Sequence, residues 1–590
     1  MIRSAILPVA LALALALGLC AGAAQAGCNL NFVELPITMA GLRPLVEARI
    51  NGTPTTLVVD SGAFYSMIAT AAAARLGLHT TAMPEGFTVS GVTGEADAAV
   101  AKIKTFTLAK TDLRNIDFIV GGGALGSESS GLLGRNVLGA FDVDYDLANG
   151  AMRLVTPKDC GKTVLAYWAT EDVAYLEVPM EPRESSLSAT VIAVRVNGHT
   201  LKAELDTGAP TSVLTLGAAR RAGIRIDGPG VEANGLGGGI GARVTRSWVA
   251  PVESFEIGGL KVLKTRIEVS DIELGNADML LGDDFFLSNR VYVANSQRKL
   301  YFTYNGGRMF NLRAPKPGAK SASAADAFAG AEPTDADGFV RRGNALLARG
   351  EAERAIADLT KAIERDPSRP RYFFDRARAR QEADASQLDP ALADLDKAIA
   401  LDGKDAEMLA LRAELRLRNK DRAGARADID AASRIAPAQA DLRLELGHLY
   451  TGLDQFALAI GEYDRWIASH PGDGDGYRAL NGRCWASALG NLRLDKALAD
   501  CDTAVRRSLR SPDVLDSRGL LRLRRGEYAK AIADYDAVLA HGPNSAWSLY
   551  GRGLARLRTG ARAAGEADLA AAAKADAEVP VRAASLGLTP

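Results

Sequence analysis

The strongest constraint on this chain is that it repeats itself. At a constant offset of 146 residues, residues 47–77 fall on residues 193–223. Arg49-Ile50-Asn51-Gly52 matches Arg195-Val196-Asn197-Gly198, and Asp60-Ser61-Gly62-Ala63 matches Asp206-Thr207-Gly208-Ala209. Asn-Gly between alternating apolar runs signals a hairpin, because both residues tolerate the positive φ of a tight turn. Each copy therefore opens on a hairpin whose second strand (Thr55 to Val59; Thr200 to Leu205) delivers an Asp into a Ser/Thr-Gly turn. Gly-rich hairpins follow at Ser90–Gly94 and Asn234–Gly238, then Leu132-Leu133-Gly134 and Leu280-Leu281-Gly282. Strand pairs near 141–155 and 290–304 close the copies. These signals predict two all-β units, each with one helix near its middle or end.

A second repeat occupies the C-terminal part. A small residue, an Ala twelve later, an apolar residue four beyond and often a closing Pro recur with a period of about 34 residues. Gly343, Ala355, Leu359, Ala362 and Pro367 fit it, as do Gly447, Ala459, Tyr463, Trp466 and Pro471. Gly519, Ala531, Tyr535, Val538 and Pro543 fit it again. The pattern resembles the tetratricopeptide repeat (TPR), which implies an all-α superhelix of stacked helix pairs whose concave face docks protein partners. The resulting division is a signal peptide over 1–26, lobe 1 over 27–160 and lobe 2 over 161–312. A flexible linker follows over 313–335, rich in Ala, Ser, Pro and Lys, then about seven repeats over 336–578 and a tail over 579–590. Few contacts are expected to cross such a linker. The charged positions Arg522, Arg524 and Arg525 read as solvated helix faces.

One Asp-[Ser/Thr]-Gly is weak evidence, since composition alone supplies on the order of 0.3 chance occurrences in a chain of this length. Two, each after an apolar strand, each before Ala and each followed at similar distance by apolar-apolar-Gly, are specific. Over residues 40–305 the chain resembles the retropepsin-like aspartic proteases. The resemblance implies two acid-protease lobes with Asp60 and Asp206 as catalytic residues, supported by Ser61, Gly62, Thr207 and Gly208. Two carboxyls held about 3 Å apart cannot both ionise, so they share one proton and supply both acid and base for hydrolysis. Gly91, Gly94, Gly235 and Gly237 mark the candidate flaps, the second so Gly-rich that mobility is expected. The expected activity is that of an aspartic endopeptidase on polypeptide substrates. The alternative is a non-hydrolytic peptide-binding scaffold on the same lobes.

Composition narrows the rest. Net charge is −1, which gives no case for nucleic acid as a partner. Arg3, the apolar run Ile6 to Leu19 and Ala24-Gln25-Ala26 read as a cleaved secretory signal, placing the protein in the periplasm or outside the cell with no membrane span after cleavage. Cleavage leaves Cys28, Cys160, Cys484 and Cys501. In an oxidising compartment an even count favours disulfides, and Cys28–Cys160 and Cys484–Cys501 are the candidate pairs. Their spacings fit no zinc site, no H-E-x-x-H occurs among the 5 histidines, and neither metal nor cofactor is expected. Gly121–Gly126 satisfies G-x-G-x-x-G but no helical pattern follows it, so it reads as a loop.

Overall fold

In the computed structural model, residues 28–310 and 332–590 are described, apart from 86, 123–127, 172, 183, 184, 186, 242 and 472. The signal segment and most of the predicted linker lie outside the described residues, as does most of the Gly121–Gly126 motif.

The duplicated half folds as two β lobes sharing one sheet. In each lobe the Asn-Gly hairpin forms, with Asn51 and Asn197 at φ 51° and 48°. The hairpin strands are Arg43–Ile50 with Thr53–Val59, and Val191–Val196 with His199–Leu205. Thr53–Val59 runs parallel to Gly131–Leu133, and His199–Leu205 runs parallel to Met279–Leu281. The apolar-apolar-Gly segments are thus the strands that lie alongside the Asp-bearing strands. Between the lobes, Asn29–Ala40, Ala151–Lys158 and Asp142–Asp146 from the first copy continue into Asn289–Ala294, Lys299–Tyr304 and Leu176–Pro179 from the second. The join is Val143 opposite Val293. Beside it Asp144 is fully buried and takes Arg290 and Arg153, with Nη2 of Arg290 at 2.7 Å and Nη1 of Arg153 at 3.1 Å from Oδ2. Because that sheet draws strands from both copies, the lobes are held as a unit within one chain.

Among the described residues, fourteen α-helices then form seven antiparallel pairs, from Ala336–Ala348 with Ala352–Arg365 to Ala546–Arg558 with Arg562–Ala575. A last helix, Glu578–Ser585, caps the end. The small residue of each repeat marks the closest approach of paired helices: a Cβ at Gly447 would lie 2.6 Å from the Tyr463 ring. The two helices of a pair are also tied by an ion-pair ladder that the sequence pattern did not reveal. Arg342, Arg412, Arg518 and Arg552 each grip the Asp sixteen residues on in bidentate fashion. Arg522 belongs to this ladder, bonding Asp534 at 2.7 Å, and Arg524 donates to the carbonyls of Ala488 and Leu586. The expectation of solvated faces fails for both, because apolar periodicity cannot tell a charge facing water from one facing a buried carboxylate.

The structure joins Cys28 to Cys160 and Cys484 to Cys501. The first pair closes the Asn29–Lys158 end of an antiparallel strand pair. The second links two paired helices across 17 residues, with Cα atoms 5.4 Å apart. Cross-linking a loop of that size stabilises by about 3 kcal/mol through the unfolded chain. The Cys484→Ala/Cys501→Ala double variant is accordingly expected to unfold at lower urea in oxidising buffer. Equal midpoints, or free thiols at both positions in non-reducing peptide maps, would contradict this bridge.

The expectation that few contacts cross between the halves is overturned. Ala345 of the first repeat helix is buried in the same apolar core as both lobes. Arg349 donates to the carbonyls of Gly306 (3.0 Å) and Leu287 (3.4 Å), and Arg378 reaches Glu128 at 3.3 Å. A long linker allows free domains, but it does not prevent apolar faces from docking.

Candidate active site

Both Asp turns are built by the strand pairing just described. Asp60 N–H donates to Leu133 O and Asp206 N–H to Leu281 O, both at 3.0 Å, so each Asp is anchored to the strand alongside it. The turns then cross-brace. Ser61 N–H donates to Thr207 Oγ1 and Thr207 N–H to Ser61 Oγ, each at 3.0 Å. Each hydroxyl donates onward to the strand of the opposite lobe, Ser61 Oγ to Leu205 O at 2.9 Å and Thr207 Oγ1 to Val59 O at 2.8 Å. All four bonds are buried, which fixes the separation of the two turns.

The carboxyls of Asp60 and Asp206 hydrogen-bond each other. Gly62 and Ala63 N–H donate to Asp60 Oδ1 at 3.0 and 2.7 Å, and Gly208 N–H donates to Asp206 Oδ1 at 2.9 Å. Glycine is required here by contact: a Cβ on Gly62 would sit 2.6 Å from Asp206 Oδ1, and one on Gly208 would collide with Asp60. Burial, and then the charge of Asp206, push Asp60 well above the usual carboxylate range. Burial likewise raises Asp206 against the backbone donors that favour its charged form.

Beneath the dyad the lobes are no longer equivalent. Asn136 Oδ1 accepts from both N and Oγ of Ser66 at 2.8 Å in lobe 1. At the same place in lobe 2, Asp284 Oδ1 accepts from N and Oγ of Ser212 at 2.9 and 2.6 Å. The preceding positions differ too: Arg135 donates across the lobe interface to Thr190 Oγ1 at 3.1 Å, whereas Asp283 is fully buried with no hydrogen bond to either oxygen. Burial, then Asp206 and Asp284, push Asp283 well up, and burial pushes Asp284 up to about 7. Glu204 is also raised to about 7, by burial and the neighbouring Asp206. None of these acids was singled out from sequence. The signal was available, since Arg135-Asn136 and Asp283-Asp284 directly follow the two apolar-apolar-Gly segments.

The two hairpins expected as flaps meet each other tip to tip. Gly91 and Gly94 end the facing strands of the first, Val89–Gly91 with Gly94–Ala96. Gly235 and Gly237 lie within the strand Glu232–Gly237 of the second, so its tip falls further on, at Gly238–Gly241. Thr93 N–H donates to Ile240 O at 3.4 Å and Arg243 N–H to Thr93 O at 3.3 Å, joining the tips. Ile240 packs against Met67, Ile119 and Leu132 of lobe 1, a role its place in a Gly-rich run did not disclose. Among the described residues there is no group of His, Cys, Asp and Glu suited to a metal ion. Nor is any described helix long and apolar enough to cross a membrane.

Comparison with known proteins fits this geometry. The aspartyl protease family profile matches twice, over residues 46–137 and 192–285. The two matches fall one on each β lobe, and the helical half is an array of paired helices with a period of about 34 residues. Among solved structures, an aspartic proteinase from Irpex lacteus aligns with 46% of this chain and 97% of its own, at 12% identity and a TM-score of 0.31. A tetratricopeptide repeat protein from Parabacteroides merdae ATCC 43184 aligns with 43% of this chain and 98% of its own, at 18% identity and a TM-score of 0.34. No curated protein matches the chain.

Proposed function

We propose that the protein is an exported aspartic endopeptidase in which Asp60 and Asp206 share one proton and hydrolyse peptide bonds, with the repeats docking protein partners. The observation that carries this reading is the reciprocal Ser61–Thr207 bracing, which holds two buried carboxyls in hydrogen-bonding contact. In the singly protonated pair, the ionised carboxyl takes a proton from water as its oxygen attacks the scissile carbonyl carbon. The neutral carboxyl donates its proton to the carbonyl oxygen. Collapse of the tetrahedral intermediate returns that proton and expels the amine, protonated by the pair, so atoms and charge balance. Glu204 and Asp283, raised by burial, keep negative charge near the dyad low at mildly acidic pH. Export is supported by the signal-like N-terminus and by the two disulfides. Docking is supported by a cavity of about 420 Å³ between the lobe 1 residues Arg43 and Leu45 and the repeat residues Phe374, Gln381, Glu414 and Leu442.

The test is hydrolysis of unfolded casein by the mature protein, with and without pepstatin. Catalysis needs one proton on the pair, so its upper pH limit follows the raised carboxyl rather than the ordinary value near 4. Pepstatin-sensitive activity is expected to peak in mildly acidic to near-neutral buffer and fall as the last proton leaves. An optimum near pH 2 would refute the pH argument. No cleavage at any pH would favour a non-hydrolytic scaffold.

A further inference from the structure

The two flaps are held in different ways. The first is a two-stranded sheet of its own, hydrogen-bonded within the hairpin and to the other flap, with only Val89 packed on the Met67, Ile119 and Leu132 cluster of lobe 1. The second is continuous with the lobe 2 sheet through Glu232–Gly237 and Thr245–Ile257. It also runs into the repeat array. Val244, at its root, is 6% exposed and lies in one apolar cluster with Tyr477, Val505, Val514, Leu515 and Val538, residues of four successive repeat helices. Leu236 on the opposing strand packs against the same cluster. At the tip the backbones nearly touch: a Cβ on Gly474 would lie 2.8 Å from Gly241 O, and one on Gly238 would lie 3.2 Å from Asp475 Oδ1. Glycine-rich sequence alone predicts a mobile loop, but burying a Val side chain against four packed helices holds the strand that carries it.

We propose that the repeat array anchors the second flap, so that the cleft opens by movement of the first flap alone. Val244 and Tyr477 are then positioning residues for the cover of the dyad. Two flaps of similar origin become one fixed wall and one moving lid. The repeats act in this arrangement as part of the active-site architecture, whatever else their concave face binds.

Hydrogen exchange of the full-length protein tests this without any need for activity. In the wild type, peptides covering 232–247 are expected to exchange at least tenfold more slowly than peptides covering 87–97. Val244→Asp, from the flap side, and Gly474→Leu, from the repeat side, should each speed exchange of 232–247 about tenfold. Unchanged protection of the helices between 476 and 539 would show that the repeats remain folded. With casein peptides, either variant should raise KM several-fold more than it lowers kcat, because the loosened wall positions substrate poorly. Equal exchange of the two flaps in the wild type would overturn the proposal. So would unchanged exchange of 232–247 in both folded variants. If both variants unfold, the wild-type comparison still decides. Loss of the hydrolytic reading would leave these exchange results standing.

Discussion

Asp60→Asn and Asp206→Asn are each expected to lower kcat/KM for casein peptides by about 10⁴-fold or more, leaving the fold intact. The size of the effect follows from sharing one proton. An amide in place of either carboxyl removes the group that must both give and take that proton, and the remaining acid cannot perform both roles in one turnover. The fold should persist because Asn at position 60 keeps an oxygen to accept from Gly62 and Ala63 N–H, and the Ser61–Thr207 bracing does not involve the carboxyls. A neutral amide also resembles the protonated acid that burial already favours. Activity on casein, circular dichroism and urea midpoints at pH 5 make the comparison. Hydrolysis surviving in one single variant would count against pairing of Asp60 with Asp206. Hydrolysis surviving in the double variant would mean that the reaction occurs elsewhere.

The Asp turns were legible in the sequence because every local signal agreed: the hairpin Asn-Gly, the apolar strand, the Ser/Thr-Gly turn and a second copy. The helix pairs were legible for the same reason, since Gly447 and Tyr463 occupy complementary positions in a periodic pattern. What escaped had no local signature. Arg522 looks like any surface Arg until Asp534 on the partner helix is placed against it. The second flap looked mobile because its glycines report backbone freedom, whereas its immobilisation depends on Tyr477 and Val514, more than two hundred residues away. That contact draws on four successive helices at once, which no single repeat encodes. The asymmetry beneath the dyad lay between. It sits in the two residues after each apolar-apolar-Gly segment, Arg135-Asn136 and Asp283-Asp284, which no motif marks.

Those residues give the second large expected effect. Asp284→Asn should stabilise the protein at pH 8 and leave it unchanged at pH 4. The substitution has a precedent in the same molecule, because Asn136 makes the equivalent bonds to Ser66 that Asp284 makes to Ser212. The side chain keeps its volume and its Oδ1 acceptor. What changes is charge. Asp284 is fully buried and its acid is pushed up to about 7 from an ordinary 3.8, with Glu268 adding to burial and the Ser212 and Phe285 donors opposing it. A carboxyl whose folded value exceeds its unfolded value favours folding at low pH and loses that contribution as pH rises through the folded value. Below about pH 4 the acid is neutral in both states, and the amide is its near equivalent. Between about 4 and 7 the unfolded chain ionises while the folded one resists, and the wild type loses stability that the variant keeps. At 1.4 kcal/mol per unit, the difference above pH 7 is on the order of 4 kcal/mol. Urea titrations of both proteins at pH 4 and pH 8 read it directly. A variant no more stable than the wild type at pH 8 would show that Asp284 ionises freely in its site. A variant much weaker at pH 4 would show that the protonated acid makes a bond that Asn136 does not reproduce.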